Sequence, residues 1–312
     1  MTPGPTPARA RAYLALVIGV LAVSSAAILV TLARAQGAPA ILIAALRMSA
    51  AAVVIVPIAL VRCRAEIRAL HARELLLGIA SGVCLALHFA FWISSLDYTS
   101  VMSSVVFVST NPLFVGLASV LILKERLGRW TTIGVLVAVI GGALVGLADL
   151  RATGGQSLKG DALALLGAVS VSGYLLIGRR LRKTMSLTLY VGIAYATAAV
   201  VLLAVVGITA TRITGYPLAA YLWIALLAAG PQLLGHTAYN WALKYVSATL
   251  VTVSLLAEPV GATLLAIPIL SQVPSAVRLA GGGLILAGIA LAARAEARSA
   301  ARPLERKSHP LV

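Results

Sequence analysis

The chain is a succession of apolar stretches, each about twenty residues long and separated by short polar breaks. That pattern limits the fold to very few solutions. An α-helix rises 1.5 Å per residue, so about twenty residues cross the hydrocarbon core of a bilayer. Inside lipid the backbone must satisfy its own hydrogen bonds, which leaves helices or closed barrels, and runs of this length are too long for barrel strands. The expected fold class is therefore an all-α integral membrane protein. We place ten spans near 12–33, 39–61, 74–96, 100–123, 130–148, 160–179, 187–211, 218–243, 247–270 and 276–294. Composition agrees: 61% of the residues are hydrophobic and 11% charged. Soluble domains average about 25% charged residues, so a soluble fold lacks the polar surface to cover this chain.

The formal charge of +16 is a topology signal. Arg9 and Arg11 precede the first span. Between even and odd spans fall Arg62, Arg64, Arg68 and Arg73, then Lys124, Arg126 and Arg129, then Arg179, Arg180, Arg182 and Lys183, then Lys244; Arg294, Arg298, Arg302, Arg306 and Lys307 close the chain. These lie on one side of the membrane. Only Arg34, Arg151, Lys159, Arg212 and Arg278 lie on the other, and Arg47 is inside a span. The positive-inside rule then places both termini in the cytoplasm of a multi-pass protein of the inner or plasma membrane. The basic residues serve orientation and anionic headgroups rather than nucleic acid. The run ending at Ala33-Arg34-Ala35 resembles a signal-peptidase site, but its apolar core exceeds the usual 7–15 residues, so it is read as a retained span. Cys63 and Cys84 are the only cysteines and supply neither a disulfide framework nor a thiolate metal site. No phosphate-binding glycine loop is present, which excludes a built-in nucleotide motor.

The two halves echo each other. His88-Phe89-Ala90-Phe91-Trp92 in the third span matches His236-Thr237-Ala238-Tyr239-Asn240 in the eighth. Asn111-Pro112 matches Glu258-Pro259, and Gly134 and Gly141 match Gly281 and Gly288. Five spans per half is an odd number, so the second copy is expected to insert upside down, as in inverted-repeat secondary transporters. The expected organisation is an N-terminal cytoplasmic segment 1–11, a first repeat 12–148, an extracytoplasmic linker 149–159, a second repeat 160–295 and a basic tail 296–312.

Several of these elements carry a resemblance over most of the chain. Arg47 in Leu46-Arg47-Met48, the run His88 to Trp92, Thr110-Asn111-Pro112-Leu113 and Leu123-Lys124-Glu125-Arg126-Leu127 are joined by Gly160-Asp161, Tyr174 to Arg180, His236 to Tyr245 and Glu258-Pro259-Val260-Gly261-Ala262. In order and spacing they resemble the EamA-type transporters of the drug/metabolite transporter superfamily. The resemblance implies ten helices in two tandem EamA domains and export of small metabolites, amino acids among them. The chain departs from the pattern after the ninth span, where Leu270-Ser271-Gln272 replaces a Leu-Gly-Glu-like element, so Glu125 has no acidic counterpart.

Polar groups at membrane depth are costly and therefore mark candidates. Glu258, near the middle of the ninth span and followed by Pro259, suits a proton carrier, a partner for a substrate ammonium, or a helix-to-helix hydrogen bond. His88 and His236 recur in both halves, where an imidazole can bond substrate or relay a proton. Tyr239 and Asn240 share the His236 face, with Gln232 a turn back and Pro231 as a kink; Trp92 shares the His88 face. Arg47 is placed to meet Glu258, a substrate carboxylate or water. Asn111 stands beside Pro112, a second kink, and Pro259 is a third. No metal-ligand spacing occurs, and no metal or other cofactor is expected. Gly78-x-x-x-Gly82 and Gly142-x-x-x-Gly146 permit close helix approach. The chain lacks the clustered nucleophile, metal set or paired carboxylates of an enzyme. We read it as a carrier, a monomer or homodimer exporting a small polar or drug-like molecule by alternating access, with the proton as candidate coupling ion; the alternatives are an intramembrane enzyme and a non-transporting sensor or scaffold.

Overall fold

A computed structural model describes residues 7–123, 129–153, 155–246, 251 and 254–306. The Lys124-Glu125-Arg126-Leu127 element, the start of the ninth span at 247–250 and Lys307 lie outside the described residues. Among those described there is no strand. We number the helices α1 (Pro7–Ser24 and Ala26–Ala35), α2 (Ala40–Arg62), α3 (Ala72–Ser95), α4 (Val101–Val108 and Asn111–Leu123), α5 (Arg129–Thr153), α6 (Gln156–Leu181) and α7 (Leu187–Ile208). Then come α8, which is α-helical over Leu218–Leu227, π-helical over Ala228–His236 and α-helical again over Thr237–Ala242, α9 (a 3-10 turn Leu255–Ala257 running into Glu258–Leu270) and α10 (Ala276–Arg306). Among the described residues, seven stretches are long and apolar enough to cross a membrane, and Thr132–Ala148, Leu255–Leu270 and Ala276–Ala292 are shorter apolar helices. Large apolar side chains such as Leu21, Val53, Ile208 and Leu218 are exposed around the outside, a surface suited to lipid rather than water.

Local chemistry explains where helices start and bend. The Ser100 and Ser186 side chains accept from the Ser103 and Leu189 backbone N–H groups and cap α4 and α7. Pro39 and Pro217 precede α2 and α8 in extended backbone. Ser24 and Ser25 donate back to the Val20 and Ala22 carbonyls where α1 bends. Two breaks matter most. α4 is interrupted at Ser109–Thr110 and restarts at Asn111-Pro112; α9 passes from 3-10 to α-helix at Glu258-Pro259. Proline fits the first turn of a helix, where its missing N–H has no partner to lose. Pro112 and Pro259 therefore begin half-helices rather than kinking continuous ones.

Packing relates the halves by a pseudo-two-fold. α3 packs on α6 as α8 packs on α1; α4 packs on α6 as α9 packs on α1; α5 packs on its own counterpart α10, and α2 on α7. The glycines show the geometry. A Cβ built on Gly134 would stand 2.5 Å from the Gly288 carbonyl, and one on Gly288 would stand 2.5 Å from the Gly134 carbonyl; Gly141 and Gly281 face each other in the same reciprocal way. Residue numbers rise along α5 as they fall along α10, so the two run antiparallel with backbones in contact. Gly82 likewise admits α7, against Ala194 and Thr197, whereas Gly142 and Gly146 meet only ordinary contacts.

The two ends are latched differently. On one face, three consecutive residues of the α3–α4 turn are tied to other helices. Asp97 pairs with Arg34 at 2.5 Å, Tyr98 OH accepts from Lys159 Nζ at 2.9 Å, and Thr99 donates to Asp161 at 3.0 Å. On the opposite face the end of α8 and the turn after it are held through carbonyls: Arg179 donates to Leu243 O and Val246 O, and Arg182 to Asn240 O in the last turn of α8 and to Met185 O in the α6–α7 turn.

Two predictions follow from packing and from charge. Gly134→Ala and Gly288→Ala each push one backbone off another and should destabilise by about 1–3 kcal/mol, whereas Gly283→Ala, with open space at its Cβ, should be neutral or slightly stabilising; thermal unfolding in detergent ranks the three. At the latch, burial raises the Asp97 carboxyl pKa more than the Arg34 guanidinium lowers it. The folded chain thus holds this proton to higher pH than the unfolded chain. The contribution to stability is fully present below the ordinary carboxylate range and is lost as pH rises through the raised value. Asp97→Asn should therefore be at least as stable as the wild type at neutral pH and flatten the mildly acidic part of the stability curve. Arg34→Gln, which strands a partly buried carboxylate, should cost about 1 kcal/mol. Loss of stability confined to Asp97→Asn would reverse that assignment.

Candidate functional site

Where the two repeats meet, a closed-in cavity of about 40 Å³ is lined by Arg47, His88, Trp92, Asn111, His236, Tyr239 and Glu258, together with Ser109 and apolar residues of α1, α4, α6 and α9. Residues from seven helices of both halves thus converge on one small space. The discontinuities of α4 and α9 bring Asn111 and Glu258 there, each at the first residue of a 13-residue half-helix. The N-terminus of such a helix carries a partial positive charge, while Glu258 N–H donates to Leu255 O and Leu113 N–H to Thr110 O.

Arg47 is the most confined charge. Its side chain is completely buried. Nε donates to Gln232 Oε1 at 3.0 Å, and Cζ lies 4.0 Å from the centroid of the Phe89 ring. Among the described residues Nη1 and Nη2 have no hydrogen-bond partner. Glu258 lines the same cavity without forming an ion pair with it. Phe89 was not a candidate by sequence, because an aromatic beside a histidine reads as core packing; its face under Arg47 gives it a second role.

The histidines meet across the repeat interface. His88 and His236 have ring centroids 6.3 Å apart, and Phe89 stands edge-on to His236 at 5.3 Å. Since the Gly167 carbonyl only accepts, His88 Nδ1 donates to it at 3.0 Å, which leaves Nε2 as the ring's other nitrogen. Trp92 stacks on His88 at 6.1 Å with the planes 3° apart. Two glycines outside the predicted set make this assembly possible: Gly167 on α6 seats Trp92, with a virtual Cβ 3.3 Å from the indole's Cβ, and Gly19 on α1 seats Tyr239, 2.5 Å from Cε1. They occupy equivalent places in the two halves, and their signal in the sequence was only their equal spacing from the repeat.

Not every expected residue reaches the cavity. The looser i→i+5 winding around Gly230-Pro231 shifts the register of α8. Gln232 is turned to α2, where it holds Arg47. Asn240 is turned away: its Nδ2 donates to Tyr174 OH and to His236 O, within a buried cluster with Tyr190 and Ser81 beside the α8–α9 turn. Pro231 lies inside the π-helix, and Pro112 borders a separate cavity of about 430 Å³ between α4, α5 and α10. That larger cavity is lined by Phe107, Thr110, Leu113, Phe114, Leu117 and other, apolar residues, with no ionisable group among the described lining residues. Among the described residues, no group of three His, Cys, Asp or Glu side chains is placed to hold a metal ion.

Comparison with known proteins agrees with this architecture. A crystal structure, titled only as that of a protein, superposes with a TM-score of 0.64 and 24% identity over 95% of this chain and 99% of that one, a likeness of fold alone. No curated protein matches the chain. The model of the EamA-like transporter family matches twice, over residues 10–147 and 158–294, one match on each half of the helical repeat. The chain is therefore a multi-pass membrane protein that belongs to the EamA-like transporter family of the drug/metabolite transporter superfamily.

Proposed function

We propose that this protein is a secondary transporter that exports a small polar metabolite or drug-like compound from the cell by alternating access, with a proton exchanged at Glu258. The observation that carries the reading is the convergence of the membrane-depth polar residues of both repeats on one cavity. Family membership supports the class, a membrane transporter. In this reading the seven long spans and three shorter apolar helices make ten crossings with both termini in the cytoplasm, the orientation favoured by the basic loops. The repeats run over 12–148 and 160–295, joined by the extracytoplasmic linker 149–159 and flanked by the cytoplasmic segment 1–11 and the basic tail 296–312. The protein works in the inner or plasma membrane as a monomer or homodimer.

The mechanism follows from the packing. Two antiparallel copies that contact each other reciprocally have two related arrangements, one open to each side, and rocking between them exposes a fixed central site in turn. The α3–α4 turn, with Asp97, Tyr98 and Thr99, closes the extracytoplasmic end; the end of α8 and the turn after it, held by Arg179 and Arg182, close the cytoplasmic end. His88, His236, Trp92 and Tyr239 form walls of the site, and Gln232 steadies Arg47 from outside it. Among the described residues Glu258 is the only carboxylate on the cavity wall, and in this reading the exchanged proton is assigned to it rather than to His88 or His236.

Efflux from proteoliposomes tests this directly. With the wild-type protein, an imposed gradient that is acid on the extracytoplasmic side should accelerate efflux of the transported compound from a labelled metabolite panel. Glu258→Gln should keep exchange of that compound across the membrane and lose the acceleration. Wild-type efflux indifferent to the gradient would make the protein a facilitator, and a gradient response surviving in Glu258→Gln would move the proton site elsewhere.

A further inference from the structure

We infer that the cavity holds its substrate by a carboxylate, gripped by the two outer nitrogens of Arg47. The inference rests on the transport reading above and names the chemical class of the ligand and the residue that selects it.

A guanidinium removed from water needs compensation, because burying a charge without a partner costs several kcal/mol. Arg47 has only part of it. One nitrogen is satisfied by Gln232, and one face of the guanidinium is covered by the Phe89 ring. Nη1 and Nη2 are the unused edge of the fork, and the residue lines the cavity. Two parallel N–H donors in a plane match a carboxylate, which accepts both in a bidentate pair. The surroundings favour the same charge. The half-helices Asn111–Leu123 and Glu258–Leu270 both begin at this cavity, and helix N-termini stabilise anions. The space, about 40 Å³ open to the centre of a water-sized sphere, exceeds the roughly 10–15 Å³ that one water needs on that measure, so it admits a small oxyanion head while the remainder of a substrate requires the lining helices to part.

Glu258 sets the sign of the coupling. An ionised carboxylate on the same wall repels the incoming anion, whereas a neutral one does not. The neutral mimic Glu258→Gln should therefore bind a carboxylate at least as tightly as the wild type, even though gradient coupling is lost.

The test is binding to the purified full-length protein in lipid nanodiscs, read by thermal shift and by fluorescence of Trp92, which stacks on His88 in the cavity wall. The other tryptophans are first replaced by Phe. The probes are the twenty L-amino acids, taken singly, and their carboxamides, with chloride and inorganic phosphate as the competing sources of negative charge. The expected result is binding of at least one acid but not its amide. Arg47→Gln should weaken that binding roughly 10- to 100-fold, the scale of a lost charge-assisted hydrogen bond. Arg47→Lys should restore part of it, and Glu258→Gln, which removes a like charge from the cavity wall, should tighten it at neutral pH. Equal binding of acid and amide, unaltered binding in a folded Arg47→Gln, an equal response to chloride or phosphate, or no response to any acid would each overturn the carboxylate site. The transport reading would survive those outcomes if gradient-driven efflux persists. Conversely, acid-selective binding without movement of any labelled compound would sustain the site and defeat transport.

Discussion

The buried guanidinium of Arg47 is the constraint around which the centre of the molecule is arranged. Nothing in a bilayer compensates it, so the compensation comes from neighbouring helices. Phe89 on α3 offers its face, and Gln232 on α8 offers a carbonyl oxygen. Gln232 reaches Arg47 because the helix around Pro231 is wound as a π-helix. An uninterrupted α-helix is also denied there by the proline, which has no N–H to give and clashes with the preceding turn. The irregular stretch of α8 is thus explained twice, by the residue that cannot sit in a regular helix and by the charge that needs an amide at that position.

A second constraint is how closely the repeats approach. Gly134, Gly141, Gly281 and Gly288 leave the backbones of α5 and α10 in direct contact, each pair seen identically from both helices. Gly19 and Gly167 do the same work nearer the centre, beneath Tyr239 and Trp92. In lipid, apolar side chains gain little from meeting each other rather than acyl tails, so association depends on close packing. Small residues at repeated positions therefore fix the geometry on which the cavity rests.

Much of this was legible before any coordinates. The length of the apolar runs fixed the class of fold, and the echo of His88 with His236 and of Asn111-Pro112 with Glu258-Pro259 pointed to two copies of one unit. Seven of the nine polar candidates line the cavity, because polar residues are so scarce at membrane depth that scarcity itself locates them. What failed was local register. Regular 3.6-residue spacing placed Gln232, His236, Tyr239 and Asn240 on one face, and no periodicity rule anticipates a π-helical stretch between them. The prolines were expected to kink continuous helices; Pro112 and Pro259 instead open half-helices, a distinction that depends on where the preceding backbone breaks. Phe89 and the glycines under the aromatics were invisible because their importance lies in what another helix presents to them.

The symmetric scaffold carries asymmetric chemistry. Asn111 and Glu258 stand at equivalent half-helix starts, yet one is a neutral amide and the other an acid. Arg34 and Arg182 hold equivalent ends, yet one meets a carboxylate and the other backbone carbonyls. A repeat pair with identical chemistry would make its two end states equal in energy and give transport no preferred sense. A titratable group in only one copy makes the balance between the states depend on protonation. Among the described residues an ion pair stands at one end only, which makes that latch respond to pH and salt, whereas an arginine bound to carbonyls does not lose its acceptor on acidification. Under the transport reading, the shared backbone fold sets the movement available to the protein, and the places where the two copies differ in charge decide which way that movement is driven.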